Sequence, residues 1–513
     1  MERKWWTLIV VSVATFMLLL DITIVNVALP SIQKSLDASF SDLQWVVDAY
    51  ALTLATLLLT AGSLADIFGR KRVFEIGLAL FTISSLICGL SGSPLMLILA
   101  RAAQGIGGAV MFATSLALLA QAFRGRERGT AFGVWGAVIA SAAAVGPLLG
   151  GALTDGLGWE YIFFINVPIG VLAILLSVRQ LEESRDPRAR GVDWLGLVTF
   201  CGALFLLVFA LIRANNVGWG STQTVSELIG SAVLLTAFVL VERHQRQPMF
   251  DLTLLKKPTF TGANIVAFTL SASMFAMFLY IALYVQNIIG LSPFKTGLVF
   301  LPLTVTSFFA APISGRLSGV VSPRVLFAVG MFLVAVGLFL MHGVTASSGW
   351  THLLPGFIIS GAGIGFTNPT LASAAIGVVP PERSGMASGI NSTFRQVGVA
   401  TGIAGLGAAF QAQVQSKITD LIAGTPAAGT GIAKQVATGN VKPALSQLPD
   451  QARAVAGRAA REGFVSGLNH ILYIGVGVAL FGAICGLVLV RRSDYVAGAA
   501  HVQQPQETEA VPA

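Results

Sequence analysis

The sequence predicts an all-α integral-membrane protein with about fourteen transmembrane helices. Hydrophobic residues occupy 55% of its 513 positions and charged residues only 11%, against about 25% charged residues in an average soluble domain. The apolar residues are gathered into long runs, and a helix needs roughly 20 of them to cross the hydrocarbon layer. A lipid solvent explains this composition better than a soluble core does.

Fourteen apolar runs, separated by polar segments, are the predicted spans. The first run is too long for the apolar core of a signal peptide and lacks a cleavage site, so we expect it to stay as a helix. The predicted spans are 6–29, 43–65, 74–92, 95–122, 130–153, 161–178, 194–212, 228–241, 259–289, 296–315, 325–341, 351–377, 386–410 and 464–490.

An even number of spans places both termini on one side of the membrane, and the loop charges predict that this side is the cytoplasm. With the termini inside, 21 of the 32 Lys and Arg residues lie in cytoplasmic segments, in agreement with the positive-inside rule. Nine lie outside, six of them in the long outer loop 411–463, and long loops carry little weight in this rule. The polar tail 493–513 is expected to be disordered and cytoplasmic.

Two sequence matches at similar offsets indicate an internal repeat. The segment 129–133 matches 385–389 at an offset of 256 residues, and Gly62 matches Gly315 at an offset of 253. A repeat of this length holds six helices, which leaves two spans in the middle and predicts a 6 + 2 + 6 layout. The predicted units are an N-terminal bundle 1–190, two linker helices 191–245 and a C-terminal bundle 246–492.

Four charged residues lie well inside the predicted spans: Asp21, Asp48, Arg101 and Arg395. Each charge costs about 2.5–3.5 kcal/mol at a helix centre on insertion scales, so these side chains are expected to face the bundle interior and to have partners. Their distance from the span ends puts Asp21, Asp48 and Arg101 in one layer, in the outer half of the N-terminal bundle. We interpret these three as a proton site, in which Arg101 tunes proton exchange on the carboxylates. A fixed ion pair that only joins helices is the open alternative.

Other classes of function have little support in the sequence. The net charge of +8 comes from loops between apolar runs, not from a basic face for nucleic acid. Cys88, Cys201 and Cys485 lie in separate apolar runs, without the spacing of a disulfide framework or a metal site. No His, Cys or Ser cluster has catalytic spacing, so we expect no enzyme activity, no metal and no cofactor.

The loop after the second span has the sequence Gly62-Ser-Leu-Ala-Asp66-Ile-Phe-Gly69-Arg70-Lys71-Arg72. Gly69 is suited to end a helix in a left-handed conformation. Asp66 is placed to accept hydrogen bonds from the N-terminus of a facing helix. An ordinary positively charged turn is the alternative interpretation.

This loop resembles the signature loop of the major facilitator superfamily, and further motifs resemble its fourteen-helix drug–proton antiporters. Residues 20–30, around Asp21, are similar to the first-helix motif, and residues 99–108, around Arg101, to the fourth-helix motif. The run Phe394-Arg395-Gln-Val-Gly398 is similar to the same branch. The resemblance covers nearly the whole chain, but Gly319 stands where a second copy of the loop would carry the equivalent of Asp66.

The fifth predicted span carries Gly146-Pro147-Leu-Leu-Gly150-Gly151, which resembles a motif associated with antiport. The proline removes a backbone hydrogen bond and permits a kink. The glycines leave room for a close helix neighbour. A gate helix and simple helix packing are both compatible with this stretch.

The resemblance implies two six-helix bundles that rock about a central cavity. It also implies that the protein is a multidrug efflux antiporter, which exports hydrophobic, often cationic compounds in exchange for protons and takes its energy from the proton gradient. We expect it to act as a monomer in the cell (inner) membrane. Dedicated export of one metabolite or antibiotic is the alternative. Asp66, Arg70 and Glu127 would form a cytoplasmic latch. The candidate substrate-cavity residues are Asn26, Gln104, Phe275, Phe278, Tyr280, Tyr284, Phe308, Asn391 and Arg395. The aromatic residues among them are equally compatible with lipid-facing packing.

Overall fold

The computed structural model describes residues 2–38, 40–185, 192–245, 248, 250–318, 320–380, 383–425, 433 and 450–495. These residues form long helices, of which the sixth and ninth are interrupted. The helices are α1 Arg3–Leu36, α2 Phe40–Phe68, α3 Arg70–Gly89, α4 Pro94–Ala122, α5 Gly125–Gly156, α6 Tyr161–Gln180, α7 Trp194–Val217, α8 Thr222–His244, α9 Pro258–Ile288, α10 Pro293–Leu317, α11 Pro323–Met341, α12 Leu354–Gly377, α13 Ser384–Ile422 and α14 Asp450–Leu489.

Within the described residues, twelve of these helices are long and apolar enough to cross a membrane. The other two, α5 and α12, are rich in glycine. Their glycines lie against neighbouring helices: a Cβ on Gly133 would meet Ala311 of α10 at 3.0 Å. Twelve predicted spans are therefore supported by composition and length, and the full count of fourteen stays a prediction.

Several helix boundaries differ from the predicted ones. The short span 228–241 is part of a 23-residue helix, Thr222–His244. The span 161–178 is interrupted at Ile165, and 259–289 contains two π-helical turns, Ser271–Phe275 and Tyr284–Ile288. The predicted outer loop 411–463 is helical at both ends, because α13 continues to Ile422 and α14 begins at Asp450. Amphipathic extensions beyond the lipid boundary are not visible to a hydropathy count.

Helices α1–α6 pack together, α9–α14 pack together, and α7 lies against α2 and α13 with α8 on its other side. One buried apolar cluster joins the three groups, with Leu59 from α2, Phe200 from α7, Phe238 from α8 and Ile390 from α13. The linker helix α7 is therefore packed against both bundles. The predicted limits of the tail fall partly outside the description, because 496–513 are not among the described residues.

The repeat-related glycines meet across the two bundles. A Cβ on Gly62 of α2 would overlap the Gly385 carbonyl of α13, and a Cβ on Gly315 of α10 would overlap the Gly129 carbonyl of α5. The first half of each repeat match thus contacts the second half of the other. Small residues permit this close approach of helix backbones.

Candidate functional site

The first candidate site is a buried polar cluster inside the α1–α6 bundle. Arg101 of α4 forms an ion pair with Asp21 of α1, and both side chains are almost fully buried. The Gln104 side chain, one turn after Arg101, donates from Nε2 to Asp21 Oδ1 at 2.9 Å. Its Oε1 accepts from Arg101 Nη1 at 2.7 Å. Gln104 therefore contacts both members of the ion pair.

Helices α3 and α6 complete the surroundings of the carboxylate. Gln104 Nε2 lies 2.6 Å from Ser85 Oγ of α3. Asn166 Nδ2, at the start of the second half of α6, lies 3.3 Å from Ser85 Oγ and 3.4 Å from Asp21 Oδ1. All these side chains are buried, so fixed polar groups rather than water surround the ion pair.

Arg101 also binds α2. Its Nε donates to the Val46 carbonyl at 3.1 Å, and its guanidinium lies 4.1 Å from the centre of the Tyr50 ring. The Tyr50 hydroxyl donates in turn to the Leu18 carbonyl of α1 at 3.2 Å. Gly105 allows α4 to lie this close, because a Cβ there would overlap Thr53 and the Tyr50 backbone. The cluster thus joins α1, α2, α3, α4 and α6.

The structure brings together two of the three predicted proton-site residues. Asp21 and Arg101 are paired as expected, whereas Asp48 is half-buried on α2, two residues before Tyr50. Gln104 belongs to this charge cluster and not to a substrate cavity, because its amide is used by Asp21, Arg101 and Ser85. Sequence reasoning missed Ser85 and Asn166. Their signal was only a polar residue within an apolar run.

The second candidate site lies at the end of the bundle that carries Arg70, Lys71 and Arg72, called here the basic end. Asp66 accepts from the backbone N–H groups of Gly385 at 3.1 Å and Met386 at 2.8 Å, at the N-terminus of α13. Arg70 donates to the same carboxylate from Nε at 2.9 Å and Nη2 at 2.8 Å. Asp66 thus caps a helix of the other bundle, as the sequence predicted.

Two details of the basic end differ from the prediction. Glu127 does not join Asp66 and Arg70, because its carboxylate binds Lys4 of α1 at 2.9 Å. Gly69 has a φ of 107° and a ψ of 129°. This is an extended conformation with positive φ that glycine adopts readily, and not the left-handed helical conformation. Glu183, which sequence reasoning missed, accepts from the N–H groups of Lys71 and Arg72 at 3.1 Å each and so caps α3.

The fifth-helix motif lies where α5 contacts both bundles. A Cβ on Gly146 would overlap Thr23 of α1, and one on Gly151 would lie 3.9 Å from Phe294 of α10. Gly150 is buried, and α5 is continuous through Pro147, whose side chain is outside the described part. The motif thus allows close packing of α5, and its role as a gate stays a prediction.

The aromatic cavity candidates are mostly packed inside the α9–α14 bundle. The Tyr280 hydroxyl donates to the Ile403 carbonyl and that of Tyr284 to the Thr345 carbonyl, both at 3.0 Å, and both rings lie in the buried core. The ring centres of Phe278 and Phe300 lie 5.7 Å apart, and Phe308 is exposed beside Phe309. Tyr280 and Tyr284 therefore act as core residues. The side chains of Asn26 and Phe275 lie outside the described part of the chain.

The last two candidates, Asn391 and Arg395, lie on α13 and are buried. Asn391 Nδ2 donates to Asn264 Oδ1 of α9 at 3.2 Å. Arg395 enters none of the ion pairs or hydrogen bonds made by the described residues.

The sequence profile of the Major Facilitator Superfamily matches residues 11–403. The chain belongs to this superfamily. It is therefore a multi-pass membrane transporter and not an enzyme. The resemblance carried by the Gly62–Arg72 loop is confirmed.

Relatives within the superfamily are named for drug and antibiotic resistance. The chain is 38% identical over 413 residues to the multidrug resistance protein Stp of Mycobacterium tuberculosis, covering 80% of this chain and 77% of Stp. It is 33% identical over 492 residues to the tetracenomycin C resistance and export protein of Streptomyces glaucescens, covering 94% and 91%. The solved structure of the proton:xylose symporter XylE matches 97% of this chain and 98% of XylE with a TM-score of 0.62 at 12% identity, which establishes the shared fold.

Proposed function

We propose that this major facilitator exports hydrophobic drugs or antibiotics in exchange for protons, and that Asp21 is the residue that carries the proton. The observation on which this rests is the Asp21–Arg101 pair, buried in the first bundle and held by Gln104, Asn166 and Ser85. Ionisable groups inside a membrane domain are costly and mark ion or proton pathways. The proposal places the protein in the cell (inner) membrane as a monomer, with the basic end and both termini in the cytoplasm.

The proton would be exchanged at a carboxylate oxygen of Asp21. In the arrangement described, the ionised carboxylate is balanced by Arg101 and accepts from two amide groups. When an oxygen of Asp21 takes a proton, the negative charge that holds Arg101 is lost, and a buried guanidinium without a counter-charge is unfavourable. Arg101 must then find another partner, so protonation changes the contacts of α4.

Arg101 offers a direct route from this proton to the packing of the bundles. It binds the Val46 carbonyl and the Tyr50 ring of α2, and the other end of α2 carries Asp66, which binds α13. Displacement of Arg101 would loosen its hold on α2, and α2 is the helix through which the bundles are joined at the basic end. Protonation can in this way bias the opening of that end.

The cargo assignment follows the relatives. Stp is named for multidrug resistance, and the tetracenomycin C protein is named for the export of one antibiotic. The second relationship covers 94% of this chain, which favours dedicated antibiotic export as the second candidate. Both candidates use the same proton exchange.

Efflux from energised cells separates these candidates and tests the proton step. A panel of hydrophobic dyes and antibiotics is measured with the parent protein, Asp21→Asn and Asp48→Asn, with Asp155→Asn at an exposed position as the matched control. The proposal predicts concentrative efflux by the parent and the control, and its loss in Asp21→Asn. Full efflux by Asp21→Asn would exclude Asp21 as the proton carrier. Movement of a single compound on the panel would favour the dedicated exporter.

A further inference from the structure

Arg395 is a buried cation for which the described residues supply no counter-charge. Only 8% of its surface is exposed. No hydrogen bond or ion pair joins it to any other residue in the described part of the chain. The other deeply buried arginines differ, since Arg70 binds Asp66 and Arg101 binds Asp21.

Acidic residues are scarce in the bundle that contains Arg395. Between Leu252 and Thr419 the chain contains a single acidic residue, Glu382. That residue precedes α13 and lies outside the described part, whereas Arg395 is eleven residues into the helix, or about 16 Å along its axis. Spans α9 to α12 contain no carboxylate at all. Asp420 lies 25 residues further along α13, or about 37 Å along its axis, and no ion pair joins Glu462 of α14 to Arg395 in the described part of the chain.

Two further polar side chains on the same face of α13 also have unused atoms. Ser388 and Asn391 precede Arg395 by seven and four residues, so the three lie along one stripe of the helix. Ser388 Oγ and Asn391 Oδ1 are both enclosed and without a hydrogen-bond partner. Buried polar atoms are nearly always paired, and unpaired ones require an explanation such as a missing water or ligand.

The stripe is on α13, which packs against helices of both bundles. The next residue after Ser388, Gly389, contacts Leu58 and Leu59 of α2 in the first bundle. Asn391 binds Asn264 of α9 in the second bundle, and α13 also lies against α4, the helix of Arg101. Ser388 and Asn391 are closed to solvent in this structure, so a molecule reaches them only when the bundles separate.

We propose that Arg395 binds an anionic oxygen of the cargo, a carboxylate or a phenolate, and that Ser388 and Asn391 hydrogen-bond its neighbouring polar atoms. This deepens the proposed export function and rests on it. The planar guanidinium offers two parallel N–H donors that match a carboxylate. The Ser388 hydroxyl can donate to the same group, while Asn391 Oδ1 accepts from a hydroxyl or amide of the cargo. The preferred cargo is then an apolar molecule with an acidic group.

The test compares one dye scaffold with and without its carboxylate. Rhodamine B carries a free carboxylate, and rhodamine 3B is its ethyl ester. Binding of each dye to purified protein in lipid nanodiscs is followed by fluorescence anisotropy, which does not depend on transport. The variants are Arg395→Gln, Arg395→Lys and Lys417→Gln, the last removing a cation from the far end of the same helix. The melting temperature of each variant confirms that it is folded.

The proposal predicts that the parent protein prefers the acid to the ester. Arg395→Gln should weaken binding of the acid about tenfold or more, as expected for a lost charge-assisted hydrogen bond, and leave binding of the ester unchanged. Arg395→Lys should retain part of the preference, and Lys417→Gln all of it. An equal affinity of the parent for both dyes, or a preference that survives in Arg395→Gln, would overturn the proposal. If the preference is found but a proton gradient drives no transport, the export function fails and the anion site stands.

Discussion

Substitution of Asp66 by Asn tests whether the basic end is held closed by the contacts seen in the structure. The Asp66 carboxylate accepts from the N–H groups of Gly385 and Met386 on different oxygens. In Asn one of these oxygens becomes an NH₂ group, which cannot accept a hydrogen bond. At least one charge-assisted bond between the bundles is lost, which costs about 1.5–3 kcal/mol.

The contact with Arg70 is within one bundle and does not depend on closure, so only the two bonds to α13 enter this estimate. A loss of that size shifts the equilibrium between the closed and open basic end about 10- to 150-fold toward the open form. Spin labels at Phe68, at the end of α2, and Lys256, ahead of α9, report the separation, because both positions are exposed. The native cysteines are replaced by serine, and the distance distribution is measured by pulsed electron resonance.

Asp66→Asn should populate longer distances, whereas Asp155→Asn, the same chemical change at an exposed position, should match the parent. Identical distributions for Asp66→Asn and the control would refute the reasoning, because the bonds from α13 would then contribute nothing to closure.

Three further predictions concern packing and pH. Gly105→Ala should lower the free energy of unfolding by about 1–3 kcal/mol through overpacking against Thr53 and Tyr50, and so lower the melting temperature. Gly92→Ala, where nothing lies within 4 Å, should leave the melting temperature unchanged. Equal melting temperatures for the two variants would contradict the α2–α4 contact. Tyr280→Phe should lower the free energy of unfolding by about 0.5–1.5 kcal/mol, because the hydrogen bond to the Ile403 carbonyl is lost, and should leave the dye specificity unchanged. An altered dye specificity would indicate that Tyr280 lines the substrate cavity. Burial, and then the charge of His352, lower the pKa of His342 below 6.5. The stability that neutral His342 contributes is therefore complete above pH 6.5 and is lost as the pH falls through the lowered pKa. The melting temperatures of the parent and of His342→Asn should diverge as the pH falls, and a constant difference between them would exclude this effect.

Hydropathy and charge were sufficient to predict the helical membrane fold, the placement of Asp21 and Arg101 in one buried layer, and the capping role of Asp66. These features follow from strong local rules: apolar runs span lipid, buried charges need partners, and a carboxylate favours a helix N-terminus. The contacts of Gly62 with Gly385 and of Gly129 with Gly315 across the bundles were not predicted from the repeat.

The side-chain neighbours could not be predicted in the same way. A span that is apolar on every side gives no periodic signal for which face is inside, so Ser85 and Asn166 could not be assigned to Asp21. For the same reason Gln104 and Tyr280 were expected in a cavity, although their polar atoms are satisfied within a bundle. Depth alone placed Asp48 beside Arg101, because distance along a helix says nothing about azimuth.

Proton movement driven by cargo is the most direct test of the central claim that Asp21 exchanges a proton for exported drug. Purified protein is reconstituted in liposomes with a trapped pH indicator, without a pH gradient, and a gradient of a transported dye is imposed. The account predicts that the parent protein moves protons against the dye flux and that Asp21→Asn moves the dye down its gradient with no proton movement. Proton movement by Asp21→Asn at the rate of the parent would contradict it.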